Sequence, residues 1–335
     1  MDFARPDRAP YTIAKMTENP TSAGKSRALR QLIEAGIREN WTLKKVAAMT
    51  TEAIEAQLLA YGVKHSRQRF LKLVEDRHSA WGISDTWLDE DAVSCRGKEE
   101  DFLGLAACEL WKRLLPDRPS VEMLDDWMQE GYAFVAAKNE SQACDVWWRT
   151  WCALRALFTP DMTTMHAAEE TFSGMQSVFN WSQDFEMHLG NAAARGDRRY
   201  AEMGRDYCRQ WISQFVDEDA SMQVSFRLAL AGFLCGLGDV GEAKKVLQDN
   251  VELWPDDVWG YVALADAYSH FFRRTQLTAA PDPDMATAYI RQGLARPGLS
   301  ASDREILEDR LTEIRRNGAS AAKRETGAPM TDLDA

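Results

Sequence analysis

The stretch from Met123 to Leu157 constrains the fold of this chain more than any other part of the sequence. Its landmarks follow one another at spacings of 4, 3, 9 and 4 residues: Trp127, Gly131, Phe134, Ala143 and Trp147. Spacings of three or four place side chains on one face of a helix. Large residues alternate with small ones, which lets two backbones approach closely. We therefore predict two antiparallel helices in close contact.

A polar turn separates these two predicted helices. It reads Lys138-Asn139-Glu140-Ser141, and Asn139 is followed three residues later by Gln142, as in a capping box. With this turn, the stretch resembles a tetratricopeptide repeat, whose consensus has these residue types at this spacing. The resemblance implies a right-handed stack of helix pairs, because one pair cannot bury its apolar face alone.

Less regular copies of the same pattern follow along the chain. One spans Phe185 to Phe215 around Gly196-Asp197, and a clearer one spans Arg227 to Pro255 around Gly238-Asp239. Ser302 and Glu305 form a capping box that opens a last helix. The sequence predicts an all-α fold, namely an α-solenoid of tetratricopeptide-like helix pairs with a small N-terminal helical unit.

Composition shifts divide the chain into five predicted segments. A Gly24-Lys25-Ser26 run lies near the first boundary, but Asn19 stands where a phosphate-binding loop needs glycine, so we reject that site. The insertion 273–285 has no assigned role. The predicted segments are a flexible arm 1–24, a basic helical head 25–75, a connecting helical segment 76–119, helical repeats 120–316 and a disordered tail 317–335.

Charge is unevenly distributed between the head and the rest of the chain. Residues 1–74 carry 13 Lys or Arg and 7 Asp or Glu, while the remainder carries 27 and 45, within a net charge of −12. A basic helix beginning near His65 could contact nucleic acid through Lys64, Arg67 and Arg69. The same asymmetry could instead dock the head on an acidic body.

A second resemblance covers roughly residues 60–155. The segment Leu110 to Tyr132 resembles a helical region of bacterial proteins that carry a small SEC-C metal-binding module. That module depends on closely spaced cysteines and a histidine. The six cysteines here form no CxC or CxxC pair, so the resemblance implies a helical scaffold without a metal site.

Other candidate metal ligands are weakly arranged. His166 lies near Glu169 and Glu170, and Glu186 lies near His188, at spacings that could share a helix face. Ordinary surface pairing explains such spacings better. We expect reduced, buried cysteines, no cofactor and no metal.

The chain lacks an apolar run of 18 residues, and its first residues lack the apolar core of a secretory signal. We therefore expect no membrane span and a cytoplasmic, bacterial-type setting.

The leading function from sequence is a non-catalytic scaffold or adaptor that binds a protein or peptide partner in the concave groove of the repeats. No GxSxG, HExxH or CxxC motif is present, so an enzyme of unrecognised type ranks third, after a nucleic-acid-associated regulator that uses residues 25–75. The predicted partner-binding residues are Asp126, Gln129, Glu130, Lys138, Trp148, Arg227, Tyr261 and Asp266.

Overall fold

The computed structural model of this chain describes residues 40–172, 174–271 and 275–325, with side chains to residue 317. Within these ranges the chain forms 15 α-helices and no strand, which confirms the predicted all-α class there. The chain divides into two compact units, residues 1–127 and 128–335. The predicted arm 1–24 and the first predicted helix of the head, Leu29 to Ile37, lie outside the described residues.

The first unit contains five complete helices and a short 3-10 turn, Gly97–Glu99. Ser or Thr side chains cap the first four α-helices, each accepting from a backbone N–H in the first turn. The helices are α1 (Leu43–Ala47), α2 (Thr51–Ala60), α3 (Arg67–Glu75), α4 (Ala80–Glu90) and α5 (Asp101–Leu114).

One hydrophobic core joins all five helices of this unit. Val46 of α1, Phe70 of α3, Trp87 of α4 and Phe102 of α5 are fully buried members of the same cluster. The predicted head and connecting segment are therefore not separate, because their apolar faces are buried against each other. The structure shows no division at residue 75.

The second unit begins within α6 and contains nine further helices. Each helix from α9 onward packs against the next along the chain, and α7 packs against α9. The helices are α6 (Val121–Ala136), α7 (Glu140–Arg155), α8 (Met165–Thr171), α9 (Val178–Ala194), α10 (Arg198–Gln214), α11 (Ala220–Leu237), α12 (Val240–Leu253), α13 (Val258–Ser269), α14 (Pro283–Leu294) and α15 (Ala301–Glu325).

The α6–α7 pair matches the prediction from its landmark residues. Asn139 caps α7, accepting from the Gln142 N–H at 3.3 Å. The fully buried Trp147 lies against Gly131, where any Cβ would overlap the indole ring. The indole Nε1 of Trp147 donates to the Met128 carbonyl at 3.0 Å. Gly131 therefore lets an aromatic ring approach the α6 backbone.

The same arrangement recurs between α10 and α11. A Cβ on Gly204 would overlap the ring of Phe233, which is itself buried. The predicted Gly-Asp turns also lie between helices as expected, at residues 195–197 and 238–239. In both helix pairs, α6–α7 and α10–α11, a glycine on the first helix thus leaves room for an aromatic ring from the second.

Helix α11 is the one described helix whose length and apolar composition would allow it to cross a membrane. However, 56% of this helix is buried inside the fold, and it packs against both α10 and α12. Its apolar composition therefore fits a core helix.

The start and end of α15 differ from the predictions. Ser300, rather than Ser302, caps the helix, and its Oγ accepts from the Asp303 N–H at 3.0 Å. Both serines have an acidic residue three positions on, so the pattern fits either, and the turn at Gly298 (φ 79°) fixes the earlier start. The helix continues through Glu325, where disorder was predicted from residue 317, because residues 319–325 are mostly strong helix formers.

Candidate functional site

A cavity of about 820 Å³ lies in the second unit, between the turns of two helix pairs and the segment that follows α13. The walls come from the ends of α9 and α11, the starts of α10 and α12, and residues 276–279. The glycines and alanines that line it are Ala193, Ala194, Gly196, Ala201, Gly232, Gly236 and Ala279. Their short side chains leave the space open and bring backbone within reach of an occupant.

The polar residues of this cavity are engaged or neutral. Arg198 is the one charged residue among the described lining residues, and its guanidinium pairs with Glu202 at 3.0 Å and reaches the Leu237 carbonyl at 3.4 Å. Burial raises the pKa of the Cys235 thiol, so this thiol is protonated at neutral pH. The lining therefore suits recognition by shape and backbone contact better than covalent chemistry.

The insertion after α13 forms one wall of the cavity. The Leu277 N–H donates to the Ala267 carbonyl at 3.2 Å, and the Asp282 N–H donates to the Tyr268 carbonyl at 2.8 Å. The side chain of Leu277 is buried. The Thr278 hydroxyl donates to the Ala280 carbonyl at 2.6 Å and lies 3.2 Å from Nε2 of His270. These bonds satisfy carbonyls that the end of a helix leaves free. The described part of the insertion, residues 276–282, thus caps α13 and lines the cavity.

The predicted partner residues near the first repeat lie on or near the surface. Asp126, Glu130 and Lys138 are exposed, whereas Gln129 and Trp148 are half-buried. Glu130 is 3.9 Å from Arg149, a surface pair of little energetic weight. None of these five residues is among those that line the cavity.

Two of the predicted partner residues in the later repeats are buried, so the prediction that they face a partner is wrong. Tyr261 is 1% exposed and donates to the Pro255 carbonyl at 3.0 Å, and Asp266 is 3% exposed. Both lie on α13, which is apolar around almost its whole circumference and packs against α11, α12, α14 and α15. Arg227 is half-buried, with its guanidinium 5.4 Å from the Trp254 ring.

The predicted nucleic-acid residues have unequal environments. Lys64 and Arg67 are exposed, but Arg69 binds Asp91 at 2.6 Å and Glu90 at 3.0 Å. The Asp91 side chain is 1% exposed, so Arg69 neutralises a buried carboxylate. The charge of Arg69 is therefore used inside the first unit, which weakens the basic patch on which the nucleic-acid alternative depends.

The two predicted histidines each lie near a carboxylate. His166 is 3.6 Å from Glu170, with both side chains largely exposed, while Glu169 accepts from the Phe179 N–H at 3.0 Å. His188 lies 3.7 Å from Glu140 of α7. Across the described residues, no group of three His, Cys, Asp or Glu side chains is placed to hold a metal ion.

Comparison with known proteins adds no relative: no protein-family model matches this chain, and no curated protein matches it either.

The sequence analysis did not identify the cavity residues, because they come from five separate elements. The Gly-Asp turns were the one available signal, since Gly196 and Val240 beside these turns line the cavity.

Proposed function

We propose that this chain is a non-catalytic adaptor of the bacterial-type cytoplasm. Its second unit would be a solenoid of tetratricopeptide-like helix pairs that binds a segment of a partner protein. The open cavity at the ends of α9 and α11 carries this proposal. It replaces the predicted site on the first repeat as the place where the partner segment would bind.

The dimensions and lining of the cavity support a peptide ligand. At about 820 Å³ it lies within the range of ligand sites. Small residues expose the backbone of its walls, as close contact with an extended main chain requires. Its paired arginine and protonated thiol offer no activated nucleophile.

The wall formed by residues 275–282 supports the same class of ligand. This segment is not helical, buries the side chain of Leu277 and hydrogen-bonds through its backbone to carbonyls at the end of α13. A non-helical piece of this chain thus already occupies the neighbouring surface. A partner segment with an aliphatic side chain would make similar contacts next to it.

Charge favours a basic partner segment. Residues 75–335 carry 45 Asp or Glu against 27 Lys or Arg. Such a field attracts basic segments and raises their association rate at low salt. Because the cavity lining itself is nearly neutral, the expected salt dependence is modest.

The proposal is tested by selecting peptides from a displayed random library on the full-length protein and measuring their affinity by fluorescence anisotropy. Gly236→Phe fills the cavity, because nothing lies within 4 Å of a Cβ at this exposed position. Ser225→Phe, at an exposed site near the other end of the same helix, is the matched control.

We expect Gly236→Phe to weaken the selected peptides at least about tenfold, while Ser225→Phe leaves them unchanged. Equal affinities for the two variants would place binding elsewhere and overturn the proposed site. Failure to select any peptide would overturn the adaptor function itself.

A further inference from the structure

Two large apolar side chains of the second unit are open to solvent at the turn between α12 and α13. Trp259, the second residue of α13, is 52% exposed, and it is the one exposed tryptophan among the twelve, all of which lie in the described ranges. Leu253, the last residue of α12, is 57% exposed. The two helices touch here, because a Cβ on Gly260 would lie 3.3 Å from the Val251 side chain. We call Leu253 and Trp259 the turn surface.

The turn surface is separate from the cavity. Val240, at the start of α12, lines the cavity, whereas Leu253 is at the opposite end of the same helix. A helix of 14 residues is about 21 Å long. The two places can therefore be tested independently.

Carboxylates flank the turn surface. Residues 249–259 contain four Asp or Glu and no Lys or Arg. Asp256 is exposed, and Asp257 caps α13, accepting from the Trp259 N–H at 2.8 Å. Burial raises the pKa of the Asp257 carboxyl, and the negative charge of Asp303 at the start of α15 raises it further. Two like charges therefore lie near one another beside an exposed indole.

The arginines of this region are engaged elsewhere. Arg296 binds Asp256 at 3.0 Å, and the guanidinium of Arg227 lies 5.4 Å from the ring of Trp254. Among the described residues, no cation lies over the Trp259 ring in this way, and no Lys or Arg forms an ion pair with Asp257. The turn surface thus combines a free aromatic face with uncompensated negative charge.

We propose that the turn surface binds an arginine side chain of a partner protein, with its guanidinium over the Trp259 ring and its charge toward Asp257 and Asp303. A guanidinium suits both parts of this surface, because it is planar, stacks on aromatic faces and pairs with carboxylates. It is also more weakly hydrated than the ammonium of lysine. Leu253 would contact the aliphatic carbons of the same side chain. The inference goes beyond the proposed function, because it needs no ligand in the cavity.

The test compares tetra-arginine and tetra-lysine peptides, both acetylated and amidated, which carry the same charge. Full-length protein is labelled with fluorotryptophan, and the fluorine NMR signal that is missing in Trp259→Leu is assigned to Trp259. We expect tetra-arginine to shift this signal at low salt and to bind roughly three times more tightly than tetra-lysine. Equal affinities, or a signal that does not move, would overturn the proposal.

Three variants separate this surface from the general negative charge of the protein. Trp259→Leu keeps an apolar side chain but removes the aromatic face, so it should abolish the preference for arginine. Asp303→Asn keeps an acceptor for the Ser300 hydroxyl and should weaken tetra-arginine roughly twofold at low salt. Asp309→Asn, at an exposed position of the same helix, is the matched control and should leave the affinity unchanged. Equal losses in the two aspartate variants would refute the assigned site.

Sedimentation tests a second copy of this chain as the alternative occupant. A wild-type protein that self-associates while Trp259→Leu stays monomeric would make the turn surface an interface between copies, and the arginine assignment would be wrong. A monomeric wild type that prefers tetra-arginine supports the assignment. Since Gly236→Phe tests the cavity and leaves the turn surface intact, failure here is separate from failure of the adaptor proposal.

Discussion

The contact between Gly131 and Trp147 predicts that adding a single methyl group destabilises the second unit. In Gly131→Ala the new Cβ overlaps the five-membered ring of a fully buried tryptophan. Trp147 must then shift, which breaks the 3.0 Å bond from its Nε1 to the Met128 carbonyl. Helix propensity acts in the opposite direction, because alanine is the better helix former.

The balance of these effects gives the size of the change. Overpacking a core costs about 1–3 kcal/mol. Leaving the buried indole N–H without its acceptor costs about 1–3 kcal/mol. Replacing glycine by alanine inside a helix stabilises the folded state by about 1 kcal/mol. We therefore expect a net loss of roughly 1–5 kcal/mol in the free energy of unfolding, toward the lower end if the ring relaxes.

The assay is urea unfolding of the full-length protein, followed by circular dichroism. The change in stability is read from the shift in the urea concentration at the unfolding midpoint, provided that the m-value is unchanged. Gly236→Ala is the control: it is a helical glycine with nothing within 4 Å of its Cβ, and it should stabilise by up to about 1 kcal/mol. In a Trp147→Ala background, Gly131→Ala should also become stabilising. A neutral or stabilising Gly131→Ala in the wild-type background would refute the argument.

Three other outcomes can be measured. Burial raises the pKa of Asp266 in the folded protein to about 7 from an ordinary value of 3.8, so its contribution to stability is complete below about pH 4 and is lost as pH rises through 7. Asp266→Asn should flatten the unfolding free energy over this window, by roughly 1–4 kcal/mol, in pH-dependent urea titrations. Asn139→Ala should cost about 1 kcal/mol in thermal unfolding through loss of the α7 cap, and Asn139→Asp should restore it. Arg69→Gln should cost roughly 3 kcal/mol in urea unfolding because it leaves Asp91 buried and unneutralised, so nucleic-acid binding is better tested with Lys64→Glu and Arg67→Glu in a salt titration.

Local patterns correctly predicted one helix cap and two turns of the second unit. The Asn139 cap and the Gly196 and Gly238 turns depend on residues close in sequence, and each was predicted. The start of α15 was predicted two residues late, because two overlapping capping patterns compete there. The turn at Gly298, which precedes the helix, selects the earlier of the two caps.

Exposure was harder to predict than secondary structure. Asp266 and Tyr261 look like surface residues in a linear pattern, yet α13 packs against four other helices. The apolar run around them, from Val258 to Tyr268, was the available signal. A helix that is apolar on every side belongs in a core, and its polar residues are then buried with it.

The sequence by itself determined the all-α class of the described chain, because helical periodicity, caps and glycine turns act over a few residues. Tertiary structure alone decided that the head shares a core with the connecting segment. It also decided that Arg69 forms an ion pair with Asp91 and that five elements line one cavity. These outcomes depend on contacts between residues far apart in the sequence. Such contacts are selected by packing and desolvation in three dimensions, and no local spacing encodes them.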